Sequence, residues 1–138
     1  MRSYALASGS AVYLDSSAIV KLAVVEAESD ALRQFLARFS LQFTSIIARV
    51  EVVRAVHGAE PPSVPLARAI LDSMESLELT DAVVNMAAQL EPPLLRSLDA
   101  IHLASALLLQ RRLDALVSYD RRMLAAARAA GIRTATPT

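Results

Sequence analysis

Short apolar runs alternate with helix-period segments along almost the whole sequence, and that alternation restricts the fold more than any other feature. Ala11 to Leu14, Leu41 to Thr44, Leu77 to Leu79, Ala115 to Tyr119 and Ile132 to Ala135 read as short strands, the last at an edge. Between them lie stripes with i, i+3, i+4 spacing, such as Leu32, Phe35, Leu36 and Phe39, or Leu66, Ile70, Leu71, Met74 and Leu77. Strands that alternate with helices predict an α/β fold, a short parallel sheet flanked by helices on both faces. At 138 residues a single domain accounts for the chain. That domain is expected over residues 11–138, behind a loose leader over residues 1–10.

Local signals place the helix ends. Ser16 or Ser17 is expected to cap a helix from near Ala18, Ser29 the next, Ser45 a helix ending near Gly58, and Thr80 one running to about Leu90. Pro61, Pro62 and Pro65 mark a loop, with Pro65 placed for the first turn of the following helix. Pro92 and Pro93 break the chain before Ser97 opens a helix, Leu98 to Leu109, that is apolar on nearly every side. Gly131 is expected to close a helix over Arg121 to Ala130.

Composition excludes several chemistries. With no cysteine there are no thiolate metal sites, disulfides or thiol redox steps. No apolar run approaches the roughly 18–20 residues of a membrane span, and the N-terminus lacks a signal-peptide pattern, so a cytoplasmic protein is expected. Fourteen basic and 14 acidic residues give zero net charge, so any nucleic-acid contact must be local. Lys21 is the only lysine; the remaining bases are arginines, a bias that either genomic GC content or the fit of arginine's planar fork to phosphate explains.

Four acids stand out. Asp15 and Asp120 each follow a strand, where ligands sit in open parallel sheets; each is also a ready helix N-cap. Asp99 begins the apolar helix, either as a functional acid or as a first-turn partner for the helix dipole. Glu51 lies among valines in SIIARVEVVRAV, with an i, i+3 pair to Arg54 as its ordinary use. His102 is expected to pack in the core or bond a neighbour, and His57 to complement a helix C-terminus. Neither histidine has an evident nucleophile beside it, which disfavours covalent catalysis.

The segments YLDSSAIVKL, SIIARVEVVRA, LRSLDAIHLASAL and LVSYDRRMLAAARAAGI resemble, in order, the four signature blocks of PIN domains. They are most similar to the VapC toxins of type II toxin–antitoxin pairs, over roughly residues 12–134. The stretch DAIHLA, Asp99 to Ala104, is the most specific piece. The leader, and serine in the first slot after Asp15 where threonine is common, depart mildly from the family. The resemblance implies that Asp15, Glu51, Asp99 and Asp120 form an acidic metal site, supported by the hydroxyls of Ser17 and Ser118. It implies Mg2+ or Mn2+ as cofactor and hydrolysis of single-stranded RNA by metal-activated water, leaving a 5′-phosphate. Hard cations of this kind prefer oxygen ligands and keep several waters. Arg96 is a candidate RNA contact, while Arg121 and Arg122 read as solvated charge. The implied partners are a VapB-type antitoxin, a second copy of the chain and RNA, with DNA reached only through the antitoxin.

Two other readings compete. A catalytically silent PIN fold would serve as a binding module only. A phosphatase or receiver domain would want a second aspartate where Ser17 stands, or a late lysine where this chain has the early Lys21. Electrostatics adds one expectation: converging carboxylates repel without metal, so at least one should titrate high.

Overall fold

The computed structural model describes residues 11–59 and 63–138. The leader, Pro61 and Pro62 fall outside the described residues. The order is β1 (Ala11–Leu14), α1 (Ser16–Ala23), α2 (Ser29–Leu36), β2 (Leu41–Ser45), α3 (Ala48–Val56), α4 (Val64–Asp72), β3 (Glu75–Leu77), α5 (Asp81–Gln89), α6 (Ser97–Leu108), a 3-10 turn (Gln110–Arg112), β4 (Ala115–Val117), α7 (Arg121–Ala129) and β5 (Thr134–Ala135). All strand pairs are parallel, in the order β3-β2-β1-β4-β5.

Side-chain alternation along β1 divides the core. Val12 and Leu14 join Ala18 and Ile19 of α1, Leu32 and Leu36 of α2, Val52 of α3 and Leu71 of α4 on one face. Ala11 and Tyr13 join Leu103 of α6 and Met123 and Ala127 of α7 on the other. Helix α5 packs on α6. The sheet is therefore covered on both faces, as the apolar runs require. The chain works outward from β1 to β2 and β3 on one side, then crosses to β4 and β5 on the other. In open α/β sheets ligands bind at such a reversal, here the carboxyl ends of β1 and β4, and Asp15 N donates to Val117 O at 3.2 Å to tie those ends together.

Several local expectations need correction. The cap of α1 is Asp15, whose carboxylate accepts from Ala18 N, so Ser16 and Ser17 fall inside the helix with their hydroxyls free for other work. Ser29 is the first residue of α2 and gives its helix no side-chain cap; its hydroxyl donates to Lys21 O at 2.7 Å and accepts from Glu26 N at 2.9 Å. Ser45 ends β2 rather than starting a helix. β3 lies two residues earlier than the apolar run suggested, because it pairs at an edge, with Glu75 opposite Phe43. β4 stops at Val117, leaving Ser118 and Tyr119 in the loop that leads to Asp120. Thr80 caps α5, Pro65 sits in the first turn of α4, and Gly131, at φ 90°, closes α7 as expected. The apolar stripes of α2 and α4 serve the core: Leu32, Leu36 and Met74 are buried, whereas Leu66 is half exposed.

Candidate active site

All four acids lie around the carboxyl end of the sheet, each held by a distinct set of partners. Asp15 is buried. Its Oδ1 accepts from Ser17 Oγ at 2.6 Å and Ala18 N at 3.1 Å, and its Oδ2 from Ser118 Oγ at 2.6 Å. Both serines are themselves fixed by the loop after β4: Tyr119 N donates to Ser17 Oγ and Asp120 N to Ser118 Oγ, each at 3.0 Å. Ser17 and Ser118 thus link the two strand ends through their hydroxyls.

Asp120 caps α7, its Oδ1 accepting from Arg122 N at 2.8 Å and Met123 N at 3.4 Å. Capping therefore holds for both strand-end acids, yet it does not use them up. In each the cap falls on Oδ1, and Oδ2 is turned to a separate partner. For Asp120 that partner is Arg96, whose guanidinium spans two carboxylates: Nη2 donates to Asp120 Oδ2 and Nε to Asp99 Oδ2, each at 3.0 Å. Asp99, in the first turn of α6, is thus drawn to the same cation as Asp120.

Glu51 turns inward rather than toward Arg54. Its Oε1 accepts from Ser16 Oγ at 2.7 Å and lies 2.8 Å from His102 Nε2. His102 is buried, and its Nδ1 lies 2.7 Å from the hydroxyl of Tyr13, a core residue of β1. With the Tyr13 hydroxyl as donor, Nδ1 accepts and Nε2 carries the proton to Glu51. The histidine is bonded to neighbours, as expected. Ser16 Oγ also lies 3.2 Å from Nε2, a serine–histidine approach that the sequence did not suggest. It makes no nucleophile, because the Nε2 proton faces Glu51 and leaves no lone pair to activate Ser16. Ser16 and Tyr13 are the partners missed from sequence. The only available signal for Tyr13 was its place two residues before Asp15, on the strand face toward α6.

The electrostatics follow the partners. Burial pushes the Asp15 carboxyl above its ordinary range, against the pull of the Ser118 and Ser17 hydroxyls. For Glu51 burial acts upward too, but the hydrogen bonds from His102 and Ser16 outweigh it and draw the carboxyl below its ordinary value. Desolvation, not the mutual repulsion expected among the acids, is what raises Asp15. Lys21, the one lysine, is held by Glu26 at 3.0 Å and Glu28 at 2.9 Å.

A pH dependence follows. A carboxyl with a raised folded-state pKa costs nothing at low pH and destabilises the fold as pH rises through the raised value. In EDTA, Asp15→Asn should melt above wild type at neutral pH, with the gain vanishing as pH falls toward about 4, the ordinary aspartate range. Glu51 has the opposite sign but is common to both proteins. Melting curves at several pH values check this; a difference that does not change with pH would remove the buried charge as its cause.

Among the described residues, the side chains as they stand form no group of three or more His, Cys, Asp or Glu that could hold a metal ion. Three of the four acids are instead joined through other groups, and the fourth has partners of its own. Ser118 joins Asp15 to the Asp120 backbone, and Arg96 joins Asp120 to Asp99. Glu51 stands apart with His102 and Ser16, although Arg96 is near enough to help draw its carboxyl down. The donor set suits a hard divalent cation, being entirely oxygen, with a cation already between two of its members.

Residues 12–129 match the family model of the PIN domain. The chain belongs to the PIN domain family. Within it, the sequence is 42% identical over 131 residues to Ribonuclease VapC47 of Mycobacterium tuberculosis (strain CDC 1551 / Oshkosh), covering 91% of this chain and 96% of that one. It is 44% identical over 128 residues to Ribonuclease VapC46 of Mycobacterium tuberculosis (strain ATCC 25618 / H37Rv), covering 93% and 98%. Solved structures share the fold. Mycobacterium tuberculosis VapC20, described as a Sarcin-Ricin loop cleaving toxin, superposes with TM-score 0.72 at 16% identity, over 91% of this chain and 99% of that one. A toxin–antitoxin complex from Klebsiella pneumoniae gives 0.69 at 22% identity, over 92% and 98%. The PIN fold, with its VapC-type ribonuclease relatives, is thus the setting for the acids described above. No helix among the described residues is long and apolar enough to cross a membrane.

Proposed function

We propose that the chain is a divalent-metal-dependent endoribonuclease and the toxin of a toxin–antitoxin pair, cleaving single-stranded regions of RNA at the carboxyl ends of β1 and β4. The observation that carries this reading is Arg96: two carboxylates, Asp99 from α6 and Asp120 from the end of the β4 loop, already face one cation at 3.0 Å. Asp15, Asp99 and Asp120 would hold Mg2+ (or Mn2+), with Glu51 completing the acidic set. Held by these residues, such an ion would supply Lewis acidity for activating water and polarising phosphate. The protein's own contribution is positioning. Ser17 and Ser118 lock both oxygens of Asp15, and the cap of α7 locks Oδ1 of Asp120. His102 and Ser16 hold Glu51 as an anion that can orient a water or take its proton. Arg96, two-thirds exposed at the mouth, offers phosphate the fork that carboxylates now occupy. A VapB-type antitoxin and a second copy of the chain are the proposed protein partners.

Removing the metal tests this directly. Purified protein should cleave single-stranded RNA with Mg2+ or Mn2+ and fall to background in EDTA, with activity restored by adding back either ion. Cleavage undiminished in EDTA would overturn the metal assignment. RNA binding without cleavage under any metal would favour the silent binding module.

A further inference from the structure

Arg96 uses the atoms that a metal would need. Asp120 has committed Oδ1 to the backbone amides of Arg122 and Met123, so Oδ2 is the oxygen left for an ion, and Oδ2 is what the Arg96 Nη2 takes at 3.0 Å. The same guanidinium takes Asp99 Oδ2 through Nε. The two carboxylates are mostly covered, at 14% and 25% side-chain exposure, whereas Arg96 is 66% exposed. Arg96 also caps nothing with its side chain: it is the N-cap residue of α6 by position, with extended backbone, and makes no side-chain cap bond. Its side chain is therefore tethered at a helix end, bound among the described residues through these acids, and largely open to solvent.

We propose that Arg96 is a built-in competitor for the metal, a tethered cation that neutralises Asp99 and Asp120 in the metal-free protein and must leave them when a divalent ion enters. This rests on the metal-site reading above. The exchange is feasible because an ion pair with a well-exposed partner is weak, while charge-assisted bonds to two carboxylates at once keep it populated. The metal's apparent affinity is then reduced by the fraction of molecules in which Arg96 has let go. The arrangement spares the metal-free protein two facing anions, and it sets a threshold concentration of divalent ion below which the site stays closed.

The test is Mn2+ titration, by calorimetry or by loss of the free-ion paramagnetic resonance signal, into wild type, Arg96→Gln, Arg96→Lys and Arg111→Gln. Arg111 is exposed at the opposite end of the sheet and controls for the loss of one positive charge, which at physiological salt is screened beyond about 8 Å. If Arg96 holds the acids about 70–90% of the time, Arg96→Gln should bind Mn2+ about 3- to 10-fold tighter than wild type. Arg96→Lys should fall between them, because a single ammonium does not span both carboxylates as a fork does. Arg111→Gln should match wild type. In EDTA, Arg96→Gln should melt below wild type, and in saturating Mn2+ the two should converge, because the ion has displaced Arg96 from the acids in wild type. Equal affinities in wild type and Arg96→Gln, or an equal gain in Arg111→Gln, would overturn the competition while leaving the metal site standing. Absence of Mn2+ binding in all four proteins would overturn the metal-site reading itself, and the competition with it.

Discussion

Asp99→Asn is expected to lower metal-dependent RNA cleavage by about a hundredfold or more, equivalent to roughly 2.7 kcal/mol of transition-state stabilisation. The substitution preserves shape, and the amide oxygen still accepts from Arg96, so α6 keeps its first turn. What is lost is the charge shared with Asp120. Bacteria expressing the wild-type chain should stop growing, and those expressing the Asn variant should continue. Thermal stability separates this role from dipole compensation. From sequence, repulsion among four acids would make the metal-free variant melt higher than wild type. Arg96 removes that expectation, because Asp99 is already paired. Loss of this part-exposed pair costs about 0.2–1 kcal/mol, so in EDTA the variant should melt slightly lower. The decisive readout is the metal-induced gain. Mn2+ at about 100 times its dissociation constant stabilises a binding protein by roughly 2.7 kcal/mol, and the Asn variant should show little of it. A soluble Asp99→Asn protein with undiminished cleavage and the full Mn2+ shift would remove Asp99 from the site.

The largest expected loss of stability belongs to His102. Its ring is 1% exposed, it makes an edge-on contact with Tyr13, and it joins β1 to α3 through Tyr13 and Glu51. His102→Ala opens a cavity, strips the buried Tyr13 hydroxyl of its His102 partner and removes one donor from Glu51. Together these should cost about 2–4 kcal/mol, measured by denaturant unfolding. His57→Ala, at the exposed C-terminal end of α3, should stay within about 0.5 kcal/mol of wild type. Comparable losses at both histidines would show that the buried network contributes nothing particular. The Glu51 carboxyl should also titrate higher in His102→Ala, because the hydrogen bond that draws it down most is gone while that from Ser16 and the pull of Arg96 remain.

What the sequence made legible was what repeats with a fixed period. The strands β1 and β4, the apolar helix α6 and the acids at their ends follow from alternation and from aspartate standing where apolar runs stop. Boundaries failed where neighbouring residues were chemically interchangeable. In Asp15-Ser16-Ser17 all three side chains can cap a helix, and only the packed structure assigns the cap to Asp15 and sends Ser16 to Glu51. β3 was displaced because an edge strand needs no apolar run on its outer side. Half of the Arg96 clasp was visible in principle, as an i, i+3 pair with Asp99. The other half, to Asp120, spans 24 positions, and the Tyr13–His102 bond spans 89. No local pattern encodes a contact of that kind; it arises from which strands the fold sets side by side.

The sheet's two borders are β3, of three residues, and β5, of two. A border strand normally offers a row of unpaired amides and carbonyls to any extended chain that drifts alongside. Here that row is too short to hold a guest. A protein built this way can be made in quantity with little danger of growing into ribbons of strands. By the same token, a second copy or an inhibiting peptide has little main chain to zip onto, and has to be recognised through the side chains of helices and loops.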